Sequence, residues 1–175
     1  MATQNPIEQE GTYLLAEAQL DRFLLKEKLT YPNMNEEFAI LNRIEQNVFV
    51  PEKSVVELSD VIYLQKLVKR VYMDDSIKRY IIAIINATRY PERFISPELA
   101  EYVTMGASTR GAIALMEVSK AMAVMCCRNY VTPDDVKSLM HSVLRHRITL
   151  NYAAVADNIS EETIIDAILG AIQTP

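Results

Sequence analysis

From about Leu58 onward, apolar residues return every three or four positions, and helix start and stop signals separate the runs. Behind Ser59, a good capping residue, Val61, Leu64, Val68, Val71 and Tyr72 are expected to point inward, while Lys66, Lys69 and Arg70 share the opposite side. Asp74 or Asp75 opens a second helix carrying Ile77, Tyr80, Ile81, Ile84 and Ile85, which ends at Thr88-Arg89-Tyr90-Pro91. Ser96-Pro97 starts a shorter helix with proline at its first position. From Thr109 to about Cys127 the pattern is apolar nearly all round. Arg110, Glu117 and Lys120 form only a narrow polar stripe, which predicts the central helix of a bundle. Thr132-Pro133-Asp134-Asp135 opens the next helix, with Val136, Leu139, Met140, Val143 and Leu144 inward. That helix closes on Arg145-His146-Arg147, where positive charge suits a helix C-terminus. Ser160-Glu161-Glu162 caps a last helix with Ile164, Ile165, Ile168, Leu169 and Ile172.

The first fifty residues read differently. Asn5-Pro6 and Gly11-Thr12 signal loop and turn, and Glu17 to Phe23 a short helix. Phe23, Leu25, Leu29 and Tyr31 alternate with Lys26, Lys28 and Thr30, predicting a strand over 23–31. Asn35 or a neighbour caps a helix bearing Phe38, Leu41 and Ile44. A strand needs partners, yet no second convincing strand exists. Residues 1–50 are therefore either the remnant of a larger α/β domain (one helix, one strand, one helix) or a locally packed irregular segment. Pro51 with Glu52-Lys53-Ser54 marks the expected boundary to a mainly α, helical-bundle domain over 51–175.

Charge narrows the function classes. A formal net charge of −5 with pI ≈ 5.1 argues against a general nucleic-acid binder. No apolar run has the length of a membrane span, and the first residues lack the pattern of a signal peptide, so a cytoplasmic location is expected. The two cysteines, Cys126 and Cys127, are adjacent in an apolar helical run and read as buried small hydrophobes rather than a disulfide or metal pair. His141 and His146 are not at the spacing that stacks side chains on a helix, and no metal site is assigned.

One stretch carries chemistry. Gly106-Ala107-Ser108-Thr109-Arg110 stands at the start of the central helix, with Ser108 placed to cap it. An arginine in a first helical turn opposes the macrodipole by roughly 0.3–1 kcal/mol. An anion at that end would turn both the unpaired N–H groups and the arginine into attractions.

Several motifs, taken together, resemble one family, the MoxR-type AAA+ ATPases. They are Ala2 to Tyr13, Glu17 to Phe23, Ala87-Thr88-Arg89, Gly106 to Arg110, Tyr130 to Val136 and Val143 to Arg147. The resemblance implies that residues 1–50 are the end of the nucleotide-binding core and 51–175 the helical lid. It implies that Asn5 is the sensor-one residue, Arg22 the arginine finger reaching a neighbour's nucleotide, and Arg110 the sensor-two arginine. It further implies ATP and Mg²⁺ as cofactors of the intact protein, with none expected on this chain alone. A hexameric ring of identical chains and a client protein, such as one with a von Willebrand factor A-type domain, are the implied partners. The sequence departs from the family pattern at Leu14 and Ala16, near which prolines are usual, and near Cys127, where a glycine is usual. No GxxxxGK[ST] loop occurs in the sequence, and the magnesium-binding acids have no counterpart. The alternative is a non-enzymatic helical interaction module. A nucleic-acid role resting on Lys66-Lys69-Arg70 and Arg145-His146-Arg147 ranks third.

Overall fold

A computed structural model describes residues 1–4, 16–48 and 53–175. The chain forms two compact units, Met1–Lys26 together with Val71–Pro175, and Glu27–Arg70. This grouping cuts across the boundary expected near Pro51, because residues just before Lys26 pack with the C-terminal bundle. The first unit opens with α1 (Glu17–Leu20). The second unit contains α2 (Met34–Glu45) and α3 (Leu58–Arg70), neither of which buries a residue; Ser59 lies inside α3 rather than capping it, and Val61 and Leu64, expected inward, are exposed. Asn33 caps α2: its Oδ1 accepts the N–H of Asn35 (3.0 Å) and Glu36 (3.1 Å), while Glu36 accepts the Asn33 N–H (2.8 Å).

The first unit resumes with α4 (Asp75–Arg89) and a 3₁₀ turn at Pro91–Arg93. Then come α5 (Pro97–Ala100), β1 (Val103–Met105), α6 (Thr109–Met125), α7 (Pro133–Leu144), β2 (Thr149–Leu150), α8 (Tyr152–Ala156) and α9 (Glu161–Ala171). Helices α4, α6, α7 and α9 enclose the core, with α6 against α4 and α7, and α9 against α7 and α4. The expected apolar positions of α4 are all buried, as are Val136, Met140, Val143 and Leu144 of α7 and Ile164, Ile165 and Ile168 of α9. Helix α6 buries one face, Gly111, Ala114, Leu115, Val118, Ser119 and Ala123, and leaves Ile113 and Met125 exposed. Asp135 tightens the start of α7. Burial pushes its carboxyl up, but two bonds from Arg128 (2.8 and 2.5 Å) and the Thr132 N–H (2.8 Å) outweigh this and hold it below the ordinary carboxylate value.

Two expectations are corrected. The strand over 23–31 does not form: the segment has no ladder partner, and Leu29 and Tyr31 stay exposed. The Lys26 N–H goes instead to the Ser142 carbonyl (2.8 Å) at the end of α7. The sheet that exists is the antiparallel pair β1–β2, matching Val103 with Leu150 and Met105 with Thr149. Its strands are too short to show as alternation in the sequence.

Cys126 and Cys127 are exposed rather than buried, because α6 ends before them. The Cys127 N–H bonds to the Val124 carbonyl (2.9 Å) and the Arg128 N–H to the Ala123 carbonyl (2.8 Å), the pair of bonds that closes a helix in a Schellman turn. Cys127 then sits at φ 56°, a conformation that glycine adopts without penalty. Cys127→Gly should therefore raise stability by about 0.5–1 kcal/mol, the left-handed strain outweighing glycine's extra chain entropy. Urea melts of the two proteins check this.

Candidate nucleotide-facing site

The site is built from the end of α4 upward. Thr88 Oγ1 donates to the Ile85 carbonyl (2.7 Å) and accepts the Ala107 N–H (3.0 Å), and Arg89 Nε donates to the Ala107 carbonyl (2.8 Å). The Ala87-Thr88-Arg89 and Gly106 to Arg110 motifs are thus one construction that docks the start of α6 on the end of α4. Ser108 caps α6 as expected, its Oγ accepting the Arg110 N–H (3.1 Å).

The anion that suits this helix end is supplied by the chain itself. Ser108 Oγ donates to Asp21 Oδ2 (2.8 Å), and Arg110 Nη1 lies 3.7 Å from the same oxygen. Arg147 Nε donates to Asp21 Oδ1 (3.1 Å). Asp21 therefore compensates the α6 N-terminus, offsetting the local penalty of Arg110.

Arg147 is almost wholly buried, with 2% of its side chain exposed. A guanidinium has five N–H donors, and here each has an acceptor. Besides the Asp21 carboxylate, these are the backbone carbonyls of Asp21 (2.9 Å), Phe23 (2.6 Å), Leu24 (3.3 Å) and Val143. Burial lowers the Arg147 pKa and the Asp21 carboxylate opposes this, so the ion pair compensates the buried charge. His146 Nε2 lies 3.0 Å from the Phe23 carbonyl and donates to it. Burial holds His146 below the ordinary histidine value; the Phe23 carbonyl opposes the shift, and Arg147 and Lys26 reinforce it. Arg145 Nη1 donates to the Lys26 carbonyl (3.0 Å), and its Nε lies 3.1 Å from Glu162 Oε1. The Arg145-His146-Arg147 run, a possible nucleic-acid contact by sequence, is thus turned inward onto residues 21–26.

Between these elements lies an open cleft of ≈ 250 Å³, lined by Asp21, Arg22, Leu24, Arg110, Ile113, Ala114, Glu117 and Arg147. Arg22 is exposed, and its guanidinium carbon lies 5.9 Å from the centre of the Phe23 ring. Arg110 has 63% of its side chain exposed, so its pairing with Asp21 is weak and readily exchanged. The structure therefore brings together two of the three site residues expected from sequence, Arg22 and Arg110. Asn5 lies outside the described residues. Sequence reasoning missed Asp21 and Arg147 as site-building residues. Both sit inside quoted motifs, but nothing in a linear pattern pairs positions so far apart.

Two solvent-facing guanidiniums, Arg22 and Arg110, line the same cleft, a donor set of the kind that can pair with a phosphate. Among the described residues no group of three or more His, Cys, Asp or Glu side chains could hold a metal ion, so the chain offers no Mg²⁺ cradle of its own there. Among the same residues no helix is long and apolar enough to cross a membrane.

Comparison with known proteins bears directly on this geometry. Residues 98–168 match the AAA lid domain, and residues 1–25 match the ATPase family associated with various cellular activities (AAA). A lid of this kind behind the end of an ATPase core defines an AAA+ protein. An uncharacterised Bacillus subtilis protein, YeaC, is 42% identical over 177 residues, covering 100% of this chain and 52% of that protein. The Mycobacterium tuberculosis chaperone MoxR1 is 38% identical over 176 residues, covering 100% of this chain and 46% of that protein. The crystal structure of a Cytophaga hutchinsonii protein assigned as an ATPase superposes with a TM-score of 0.88 at 40% identity, covering 98% of this chain and 52% of that one. The chain belongs to the MoxR-type AAA+ ATPases and corresponds to their C-terminal portion. It spans about half the length of the curated relatives it matches.

Proposed function

We propose that this chain is the finger-and-lid part of a ring-forming ATPase, and that Arg22 and Arg110 together supply positive charge to a nucleotide's phosphates. The observation that carries this is the shared cleft. Two solvent-facing guanidiniums from segments far apart in sequence open onto one space, while the buried guanidinium beside them is fully engaged. ATP with Mg²⁺ would supply the phosphoryl group and its counter-charge when bound; with no GxxxxGK[ST] loop in this sequence, we expect no ATP turnover by the chain alone.

Phosphoryl transfer spreads negative charge over the equatorial oxygens, and catalysis is mostly positioning and charge stabilisation. Arg22 meets that charge without an ion pair of its own among the described residues. Arg110 exchanges a loose contact with Asp21 for one with phosphate. Because both arginines open on the same cleft, they serve the same nucleotide; if Arg22 reaches across to the neighbouring subunit, Arg110 does so too. Asn5 orienting the attacking water, the hexameric ring and a von Willebrand factor A-type client complete the reading, and these rest on family resemblance alone.

Arg110→Ala in the full-length ATPase should lower turnover by about 10²-fold, in the range for loss of one charge-stabilising donor. Steady-state ATP hydrolysis is the measurement. Turnover like that of the wild type removes Arg110 from the site.

A further inference from the structure

We infer that Arg147, acting through Asp21 and the carbonyls around Arg22, is the positioning residue that fixes the arginine finger to the lid. The inference rests on the reading of Arg22 given above. Arg22 stands between Asp21 and Phe23, and a single Arg147 amino group, Nη2, holds the carbonyls of both neighbours. The other amino group, Nη1, holds the Leu24 carbonyl and, on α7 itself, the Val143 carbonyl. Nε holds the Asp21 carboxylate, whose second oxygen accepts from Ser108 at the start of α6.

The backbone on both sides of the finger is clamped, while its side chain is exposed and makes no ion pair among the described residues. The same guanidinium is joined through Asp21 to the helix end that carries Arg110. His146 and Arg145 extend the grip to Phe23 and Lys26. The geometry suits arginine alone. Five donors in a planar fork meet five acceptors, whereas lysine has three donors on a point charge. A bond network of this kind makes the end of α7 and the finger move as one body, so a displacement of the lid displaces Arg22 with it.

The test uses Arg147→Lys. In the full-length ATPase, kcat should fall about tenfold or more with KM for ATP within about threefold, because a displacement near 1 Å suffices for such losses. In the Arg22→Ala background the same substitution should lower kcat no further, since its effect passes through the finger. A general structural role would lower both backgrounds alike. In this chain, amide hydrogen exchange at Lys26 should speed up while exchange in α4, α6 and α9 is unchanged.

Unchanged kcat overturns the inference, as does an equal loss in both backgrounds; where Arg22→Ala has no measurable turnover, unchanged exchange at Lys26 overturns it. Wild-type turnover in Arg22→Ala instead overturns the finger reading, and the clamp then stands or falls on the Lys26 exchange rate. Should Arg147→Lys not fold, Asp21→Asn loosens the same clamp with the fork intact, and because Asp21 also touches Arg110 the comparison is then made in an Arg110→Ala background.

Discussion

Arg22→Ala in the full-length ATPase is expected to reduce kcat by about 10³-fold or more while leaving ATP affinity within about threefold of the wild type. The two halves of that expectation have separate causes. Arg22 lines an open cleft, is exposed, and makes no ion pair among the described residues, although Asp21 and Glu117 line the same cleft. On the proposed finger reading, its charge meets the negative charge that phosphoryl oxygens gain in the transition state. A loss of that size corresponds to roughly 4 kcal/mol of transition-state stabilisation. Ground-state affinity should change little, because a group that meets charge developing in the transition state is removed mainly from kcat rather than from binding. The backbone at Arg22 is held by Arg147 and His146 through carbonyl groups, so truncating the Arg22 side chain should leave the local fold in place. Steady-state hydrolysis and equilibrium titration with a fluorescent ATP analogue read the two quantities. Mixing variant and wild-type subunits adds a direct reading of direction: if the finger serves a neighbour, a variant subunit silences the site beside it rather than its own. Retained turnover in Arg22→Ala would sink the assignment, and loss of affinity without loss of kcat would make Arg22 a binding residue instead.

The contrast between what the chain's pattern revealed and what it hid has a physical basis. Helices α4, α7 and α9 were legible because their caps and their three-to-four spacing are local, and Asp74, Ser108 and Ser160 cap the expected helices with short-range bonds. The start of α6 was legible as an anion-favouring helix end, since a capping serine and an out-of-place arginine lie within one turn. The identity of the anion was not. Asp21 and Ser108 are far apart in sequence, and their contact depends on the packing of the whole bundle. The same holds for Arg147, whose charge at the end of α7 suggested a simple dipole effect but whose partners lie on residues 21–24. The predicted strand over 23–31 failed for the complementary reason. Alternation is a local signal, but a strand also needs a partner edge. Here the backbone groups of Phe23, Leu24 and Lys26 are taken by side chains and backbone of residues 142–147. Cys127 shows a finer limit: the apolar run continues past the end of α6, so periodicity alone placed both cysteines inside.

Gly106→Ala should destabilise the chain by about 2–3 kcal/mol and lower its melting temperature by about 5–10 °C. The cause is space rather than backbone conformation, since Gly106 does not sit in the left-handed region. A Cβ built there would lie 2.2 Å from the Thr88 carbonyl oxygen, 2.4 Å from its carbon and 2.6 Å from the Arg89 nitrogen. All three are backbone atoms at the end of α4, so no side chain can rotate away. Relief requires the loop to lift from α4, and that strains the Thr88 and Arg89 bonds to Ala107. The start of α6 would move with it, carrying Ser108 away from Asp21. Gly111→Ala makes the control. Its Cβ would meet the side chains of Ala107 and Ile85 at 3.2 Å and of Arg147 at 3.4 Å, contacts that a few tenths of an ångström relieve. It would also gain about 1 kcal/mol of helix propensity inside α6, so the net change should be small. Urea and thermal melts of the two variants decide between these cases. Equal stability in both would show that the Gly106 loop is free to rise from α4, and that the docking of α6 does not depend on this close approach.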